Sequence, residues 1–347
     1  MANFDVTPEK RAGTRALLRR QFFMNLPKVT QAQVNLAGKT AIVTGSNTGI
    51  GLECCRQFLG LGLSRLILAV RSEAKGETAK AELQRAFPRQ AIEVWKLDLS
   101  LYDSIVSFAE RTKSLERLDI VVHNAGVQKM TLEVNKSTGH EEVMQVNYLS
   151  AALLTILLLP VLQEKNTPQQ PGRLVIVNSD VAAWAKFKER DSVPLLPAFN
   201  KPEFFDPQDR YFTSKLLGQF FLSELVKRVP SSVAIVNFAN PGLCYGSDLN
   251  REAGGVPGAI WSGIKRVLGH STAVGARALV DAAVNHGSQS HGQYTEDGKI
   301  QPMAPIVYKP EGEKIAERLW QETMAEPAFA RAAEILRRLS ASASASA

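Results

Sequence analysis

Cysteine is scarce in this chain, with only Cys54, Cys55 and Cys244 among 347 residues. Two are neighbours that must project in different directions, so no disulfide framework can form and a reducing compartment fits. The five histidines are scattered and none sits at metal-ligand spacing from a cysteine, so no metal is expected. The N-terminus lacks the apolar run of a signal peptide. The longest apolar run, SAALLTILLLPVL from Ser150 to Leu162, is too short to span a bilayer and reads as a buried helix. Together these absences point to a cytoplasmic protein. A strong charge on the body is also missing. The net charge is +7, but residues 1–36 hold six basic side chains (Lys10, Arg11, Arg15, Arg19, Arg20, Lys28) against Asp5 and Glu9. That local +4 leaves +3 for everything else. Nucleic-acid binding would favour a basic body with interleaved aromatics, so no nucleic-acid partner is expected.

What is present is a globular composition, 45% hydrophobic and 22% charged, with enough apolar surface for a sizeable core. Short β-rich runs alternate with helical ones. KTAIVTG (39–45), RLILAV (65–70), IEVWKLD (92–98), LDIVVHNAG (118–126), RLVIVNS (173–179) and VAIVNFANPG (233–242) read as strands. Their apolar residues are continuous rather than alternating, as expected when both faces of a parallel sheet are covered. The expected fold is therefore α/β, a doubly wound, mostly parallel Rossmann-type sheet. A long helix is expected over about 139–163, and a helix over Arg11–Met24 within an N-terminal arm, 1–36. The main domain spans 37–310. It includes an insertion loop, 180–208, and a substrate lid, 243–270. A C-terminal helix or helix pair follows over 311–339. The Ser/Ala tail 340–347 is of low complexity and expected to be disordered.

Four features carry chemistry. TGSNTGIG (44–51) follows the first strand and opens a helix. Gly45, Gly49 and Gly51 permit a tight turn and close approach of a pyrophosphate, and the helix N-terminus would hold its charge. Ser46, Asn47, Thr48 and Ile50 fall in the same turn. The spacing is G-x-x-x-G-x-G rather than G-x-G-x-x-G. After the second strand stand Arg71 and Lys75, where an acid would select a free ribose 2′-hydroxyl and a cation accommodates a 2′-phosphate. NADP(H) is the expected cofactor. Finally, Asp98 and Leu99, then Asn124, Ala125 and Gly126, then Ser179, then Pro241, Gly242 and Leu243 lie at strand carboxyl ends, where open α/β sheets bind ligands. In YFTSK, Tyr211 and Lys215 are one helical turn apart and share a face. A cation there would draw the phenol pKa down toward neutrality.

These segments, with HNAG (123–126), Asn147 in VNY, Ser179 in VNS and NPG (240–242), resemble the short-chain dehydrogenase/reductase family over about residues 36–310. In detail the chain is similar to the retinol-dehydrogenase-like branch and its fungal relatives in secondary-metabolite pathways. The TGSNTGIG variant, the long Ser-to-Tyr spacing, the RQFF arm and WAKFKER carry that likeness. His123 stands where the family often has Asn. LCYGSDL has one extra residue before Ser247, the match to a carboxamide-binding Ser or Thr. The resemblance implies a catalytic tetrad. Tyr211 exchanges a proton with the substrate oxygen, Ser179 hydrogen-bonds that oxygen, and Lys215 tunes Tyr211 and holds the nicotinamide ribose. Asn147 steadies a water leading from Lys215 to solvent.

The expected substrate is a bulky, mainly apolar ketone. Trp184, Phe187, Phe199, Phe204 and Phe205 in the insertion loop, and Tyr245, Val256, Ile260 and Trp261 in the lid, are candidates for its pocket. Oxidation of a secondary alcohol is the same chemistry run backwards. A silent NADPH-binding sensor or scaffold is the alternative of another class. Leu17, Leu18, Phe22 and Phe23 beside basic residues would let the arm touch a membrane surface, although packing back on its own domain is the more usual outcome. Oligomeric state cannot be read from the sequence.

Overall fold

The computed structural model describes residues 4–23, 26–247, 249, 263 and 265–345. The lid residues Val256, Ile260 and Trp261 lie outside them. The described residues form ten strands: β1 (Thr40–Thr44), β2 (Arg65–Val70), β3 (Ala91–Lys96), β4 (Ile120–His123), β5 (Gly172–Val177), β6 (Ala234–Ala239), β7 (Cys244–Tyr245), β8 (His270–Ser271), β9 (Tyr294–Glu296) and β10 (Lys299–Gln301). Eight of them make one sheet in the order β10-β9-β6-β5-β4-β1-β2-β3. All neighbours run parallel except the β9–β10 hairpin. The order reverses between β1 and β4, which opens a crevice at their carboxyl ends.

Both faces of this sheet are buried, as the continuous apolar runs required. Every residue of β1 and β6 is buried. Ala41 and Val43 face a cluster with α3 (Gly49–Gly60) and the helix Thr272–Val284. Ile42 faces the larger cluster on the other side. That cluster takes in α5 (Tyr102–Thr112), α7 (Ser150–Glu164) and α8 (Pro207–Leu225). It also takes in the C-terminal helices Pro310–Ala325 and Ala330–Ala345. These two helices are part of the main core, with Trp320 stacked on Phe221 at 5.7 Å. The second runs into the Ser/Ala stretch that was expected to be disordered. Alanine is the best helix former and serine only a modest breaker, so the helix continues to Ala345.

The expected helix over 139–163 is interrupted. After α6 (Glu142–Met144), residues Gln145–Leu149 wind as a π turn before α7 begins. Asn147 sits in that turn, a device common at functional sites. The helical run Glu142–Glu164 spans 23 residues and is apolar enough to cross a membrane, but 83% of its apolar window is buried in the core. The arm likewise forms two helices, α1 (Pro8–Ala12) and α2 (Thr14–Phe23), separated at Gly13. The β9–β10 hairpin escaped the sequence reading because its strands are three residues each. Its signal was Asp297-Gly298, both in the left-handed region as a tight hairpin turn requires.

Candidate active site

β3, β4, β5 and β6 end one or two residues before the positions singled out in the sequence. Those residues therefore lie just beyond the sheet edge, on the floor of a cavity of about 1210 Å³. Its walls bring together Gly45, Asn47, Thr48, Gly49, Ile50, Arg71, Lys75, Asp98, Leu99, Asn124, Ala125, Gly126, Ser179, Tyr211, Lys215, Pro241, Gly242, Leu243 and Ser247.

The turn after β1 is shaped by contact. Gly45 and Gly49 have φ of +62° and +61°. A Cβ on Gly45 would sit 3.0 Å from the Ala125 Cα, and one on Gly49 would meet Ser247 at 3.4 Å. Three of the expected cofactor contacts play another part. Ser46 is fully buried beneath the turn and does not line the cavity. Gly51 is also outside it, and a Cβ there would strike Asn124 Nδ2 at 2.5 Å. Asn124 borders the cavity, but its Nδ2 donates to the carbonyls of Thr44 at 3.0 Å and Gly45 at 3.2 Å, while its N–H donates to Thr44 Oγ1. Its amide thus ties the end of β4 to the turn after β1 instead of reaching outward.

Asn147 clamps the loop after β4. Its Oδ1 accepts from the Val127 N–H at 2.8 Å, and its Nδ2 donates to the Val127 carbonyl and to Ser214 Oγ. The side chain is therefore a brace for that loop. Asn178 was missed, although it stands beside Ser179. It is buried, it accepts from Gln219 Nε2 and from the Ser179 N–H, and its Nδ2 donates to the Lys215 carbonyl. It fixes Ser179 against α8.

Tyr211 and Lys215 share a face of α8 as the spacing required. The Lys215 ammonium lies 5.5 Å from the Tyr211 ring centroid and donates to the Val177 carbonyl at 3.0 Å. The expected lowering of the phenol is not what this environment produces. Burial pushes Tyr211 well above the usual tyrosine range, and the charge of Asp180 adds to it. Burial pulls Lys215 down to about 8. Desolvation therefore outweighs the attraction between the pair. The Cys244 thiol, 6% exposed in the cavity wall, is pushed up to about 12 by burial and is inert at neutral pH.

Leu17, Val127, Met130, Val181, Trp184 and Phe212 give the cavity an apolar stretch, and Gln128, Glu142, Asp180, Asp206, Gln208 and Lys265 also line it. Of the insertion-loop aromatics only Trp184 lines the cavity. Phe187 and Phe199 stack on each other at 6.3 Å inside the core. Arg210 lies over Phe199 and Phe205, and Lys201 over Phe204. Tyr245 is likewise not part of the lining. Leu17, from the arm, had been read only as a possible membrane contact.

Sequence likeness agrees with this layout. Residues 39–188 match the family model described as short chain dehydrogenase. The short-chain dehydrogenase fogG of Aspergillus ruber is 50% identical over 341 residues, covering 96% of this chain and 97% of its own. This chain belongs to the short-chain dehydrogenase/reductase family. It is an oxidoreductase acting on CH–OH and C=O groups with a nicotinamide dinucleotide. The short chain dehydrogenase/reductase mfmJ of Annulohypoxylon moriforme is 46% identical, with 90% and 91% of the two chains covered. A solved short-chain dehydrogenase from Sphingobium yanoikuyae in complex with NADPH shares the fold, with a TM-score of 0.52 at 20% identity, covering 70% and 82% of the two chains.

His123 gives a stability prediction. It is 4% exposed, and burial pulls its pKa down to about 4. The unfolded chain binds a proton near pH 6.5, whereas the folded protein resists until about 4. Stability is therefore complete above about pH 6.5 and falls as the pH drops toward 4, by about 3 kcal/mol for this group. Denaturant midpoints measured from pH 7.5 to 4.5 should fall more steeply for the parent than for His123→Asn. Parallel curves would show that His123 is not the source.

Proposed function

We propose that the protein is an NADP(H)-dependent ketoreductase acting on a bulky, mainly apolar ketone in the cytoplasm, in a fungal secondary-metabolite pathway. The observation that carries this is the continuity of one cavity. It runs from the glycine turn and two cations to Ser179, Tyr211 and Lys215, and ends in an apolar wall.

The site fits the cofactor. Gly45 and Gly49 hold the turn in left-handed backbone that side chains rarely adopt, which suits a turn presenting its N–H groups to a pyrophosphate. Arg71 and Lys75 flank Ser72, whose Oγ accepts from the Lys75 N–H and caps α4 (Glu73–Ala86). A 2′-phosphate would meet both cations there. Gly126 keeps the approach to Lys215 open, since a Cβ would stand 3.9 Å from Nζ and 3.2 Å from Asn147 Oδ1.

When bound, NADPH supplies the hydride. The chain's residues manage the oxygen that gains charge. Tyr211 carries its proton at neutral pH, the state a reductase needs, as any phenol of ordinary pKa does, and burial holds the proton more firmly. An alkoxide is a far stronger base than a phenolate, so Tyr211 can still give that proton up as charge develops. Ser179 Oγ donates to the same oxygen and stabilises the transition state. Lys215, still mostly charged at neutral pH, favours the tyrosinate that is left. Leu17, Met130, Val181, Trp184 and Phe212 shed water around the substrate body.

Tyr211→Phe should bind NADPH as the parent does but lose about 10²–10⁴-fold in turnover of an apolar ketone. Parent-like turnover would remove Tyr211 from the chemistry. Replacing Arg71 and Lys75 together by Ala should weaken NADPH binding about tenfold or more while leaving NADH binding nearly unchanged. An equal loss for both cofactors, measured by fluorescence titration, would contradict the 2′-phosphate assignment.

A further inference from the structure

Beside the catalytic residues lies a carboxylate that has no obvious place in a reductase. Asp180 follows Ser179, is 9% exposed, and lines the cavity. Ser179 Oγ approaches its Oδ1 at 3.4 Å. A bare negative charge there would oppose formation of a tyrosinate on Tyr211.

The counter-charge comes from the far end of the chain. Arg20, on α2, donates from Nη2 to Asp180 Oδ2 at 3.1 Å. Its Nη1 donates to the Arg11 carbonyl, and its Nε lies 3.1 Å from Glu296 Oε2. Arg11, 3% exposed, grips the same Glu296 oxygen through Nε and Nη2 at 3.1 and 2.9 Å and lies over the Tyr294 ring. The other Glu296 oxygen accepts from Asn240, whose Oδ1 accepts from the Gly242 N–H. Two arginines thus face Asp180 and Glu296. Asp297 lies nearby, its carboxyl raised to about 6 by burial and by Glu296. The arm is pinned at two further points. Gln21 exchanges two hydrogen bonds with the Leu243 backbone, and Trp184 Nε1 donates to the Ala12 carbonyl at 2.8 Å.

We infer that Arg20 is a positioning residue of the active site: from the N-terminal arm it offsets the charge of Asp180, so that the carboxylate next to Ser179 opposes proton transfer through Tyr211 less than a bare one would. This rests on the proposed role of Tyr211. The arm is then a structural part of the catalytic centre, with Leu17 in the substrate wall and Arg20 behind the proton donor. Tyr211 faces Lys215 on its own helix and Asp180 on the turn after β5. Asp206, Glu142 and Lys265 share the cavity and stay unchanged in the test below.

The test compares the parent with Arg20→Gln, Arg20→Lys, Asp180→Asn and the Arg20→Gln/Asp180→Asn double variant, each as the NADP⁺ complex. Two readouts report Tyr211. One is the pH profile of kcat/KM for oxidation of an apolar secondary alcohol, in which Tyr211 must accept the proton. The other is ultraviolet difference absorbance of the phenolate against Tyr211→Phe, which needs no turnover. Arg20→Gln should move both upward by about one pH unit. Arg20→Lys should stay near the parent, and the double variant should return to the parent or below it. An Arg20→Gln profile superimposed on the parent's, or a double variant that does not return, would overturn the inference. If Arg20→Gln does not fold, Asp180→Asn alone decides, because it should shift Tyr211 downward and no shift would contradict the charge argument. Absence of turnover in the parent would count against the ketoreductase reading only, since the absorbance titration still measures the effect of Arg20.

Discussion

The geometry of this molecule depends on a join between two strand ends. Asn124 reaches from the end of β4 to the carbonyls of Thr44 and Gly45, and Thr44 Oγ1 accepts from the backbone N–H groups of Asn124 and Ala125. This join lies where the strand order reverses, so it sets the width of the crevice between β1 and β4. Gly51 lacks a side chain because Asn124 Nδ2 occupies that space, and Gly45 because Ala125 does. The Asn147 clamp on Val127 and the Asn178 brace between β5 and α8 extend the same scheme to Gly126, Ser179 and Lys215. Three buried or half-buried asparagines hold backbone to backbone, and the reactive side chains project from the frame they make.

Electrostatics at Tyr211, the proposed proton donor, follow from desolvation more than from pairing. Lys215 is buried and Tyr211 half-buried on the cavity wall, and each is driven toward its neutral form. For a reductase this is useful, because the phenol keeps its proton until an alkoxide begins to form. It also makes the site sensitive to any uncompensated charge, since attraction and repulsion are strong where water is excluded. Asp180 is such a charge, and Arg20 is its partner at 3.1 Å. On the proposed role of Arg20, the arm is part of the catalytic centre. Its exposed outer face, with Leu18 and Phe22, is a separate feature.

The sheet and its strand-end residues were legible because they follow local rules. Continuous apolar runs announce doubly covered strands, and glycines in a strand-to-helix turn announce a close approach. The Tyr211–Lys215 spacing needs only the helix period. What escaped was long-range. Arg20 and Asp180 are 160 positions apart, and Arg11 and Glu296 are 285 apart, so no window of sequence joins them. The sign of the Tyr211 shift was also hidden, because it depends on how deeply α8 is buried. Phe187 and Phe199 illustrate a different gap, since an aromatic that anchors a loop and one that lines a pocket look alike until the backbone is placed.

The claim that organises all of this is that hydride passes from reduced nicotinamide to a carbonyl carbon seated beside Tyr211. The most direct measurement uses NADPH deuterated at nicotinamide C4, incubated with the protein and a panel of bulky apolar ketones, with product analysed by mass spectrometry and NMR. The account predicts one deuterium on the new carbinol carbon from one face of the nicotinamide. NADPH that binds normally but transfers no label to any ketone of the panel would contradict it.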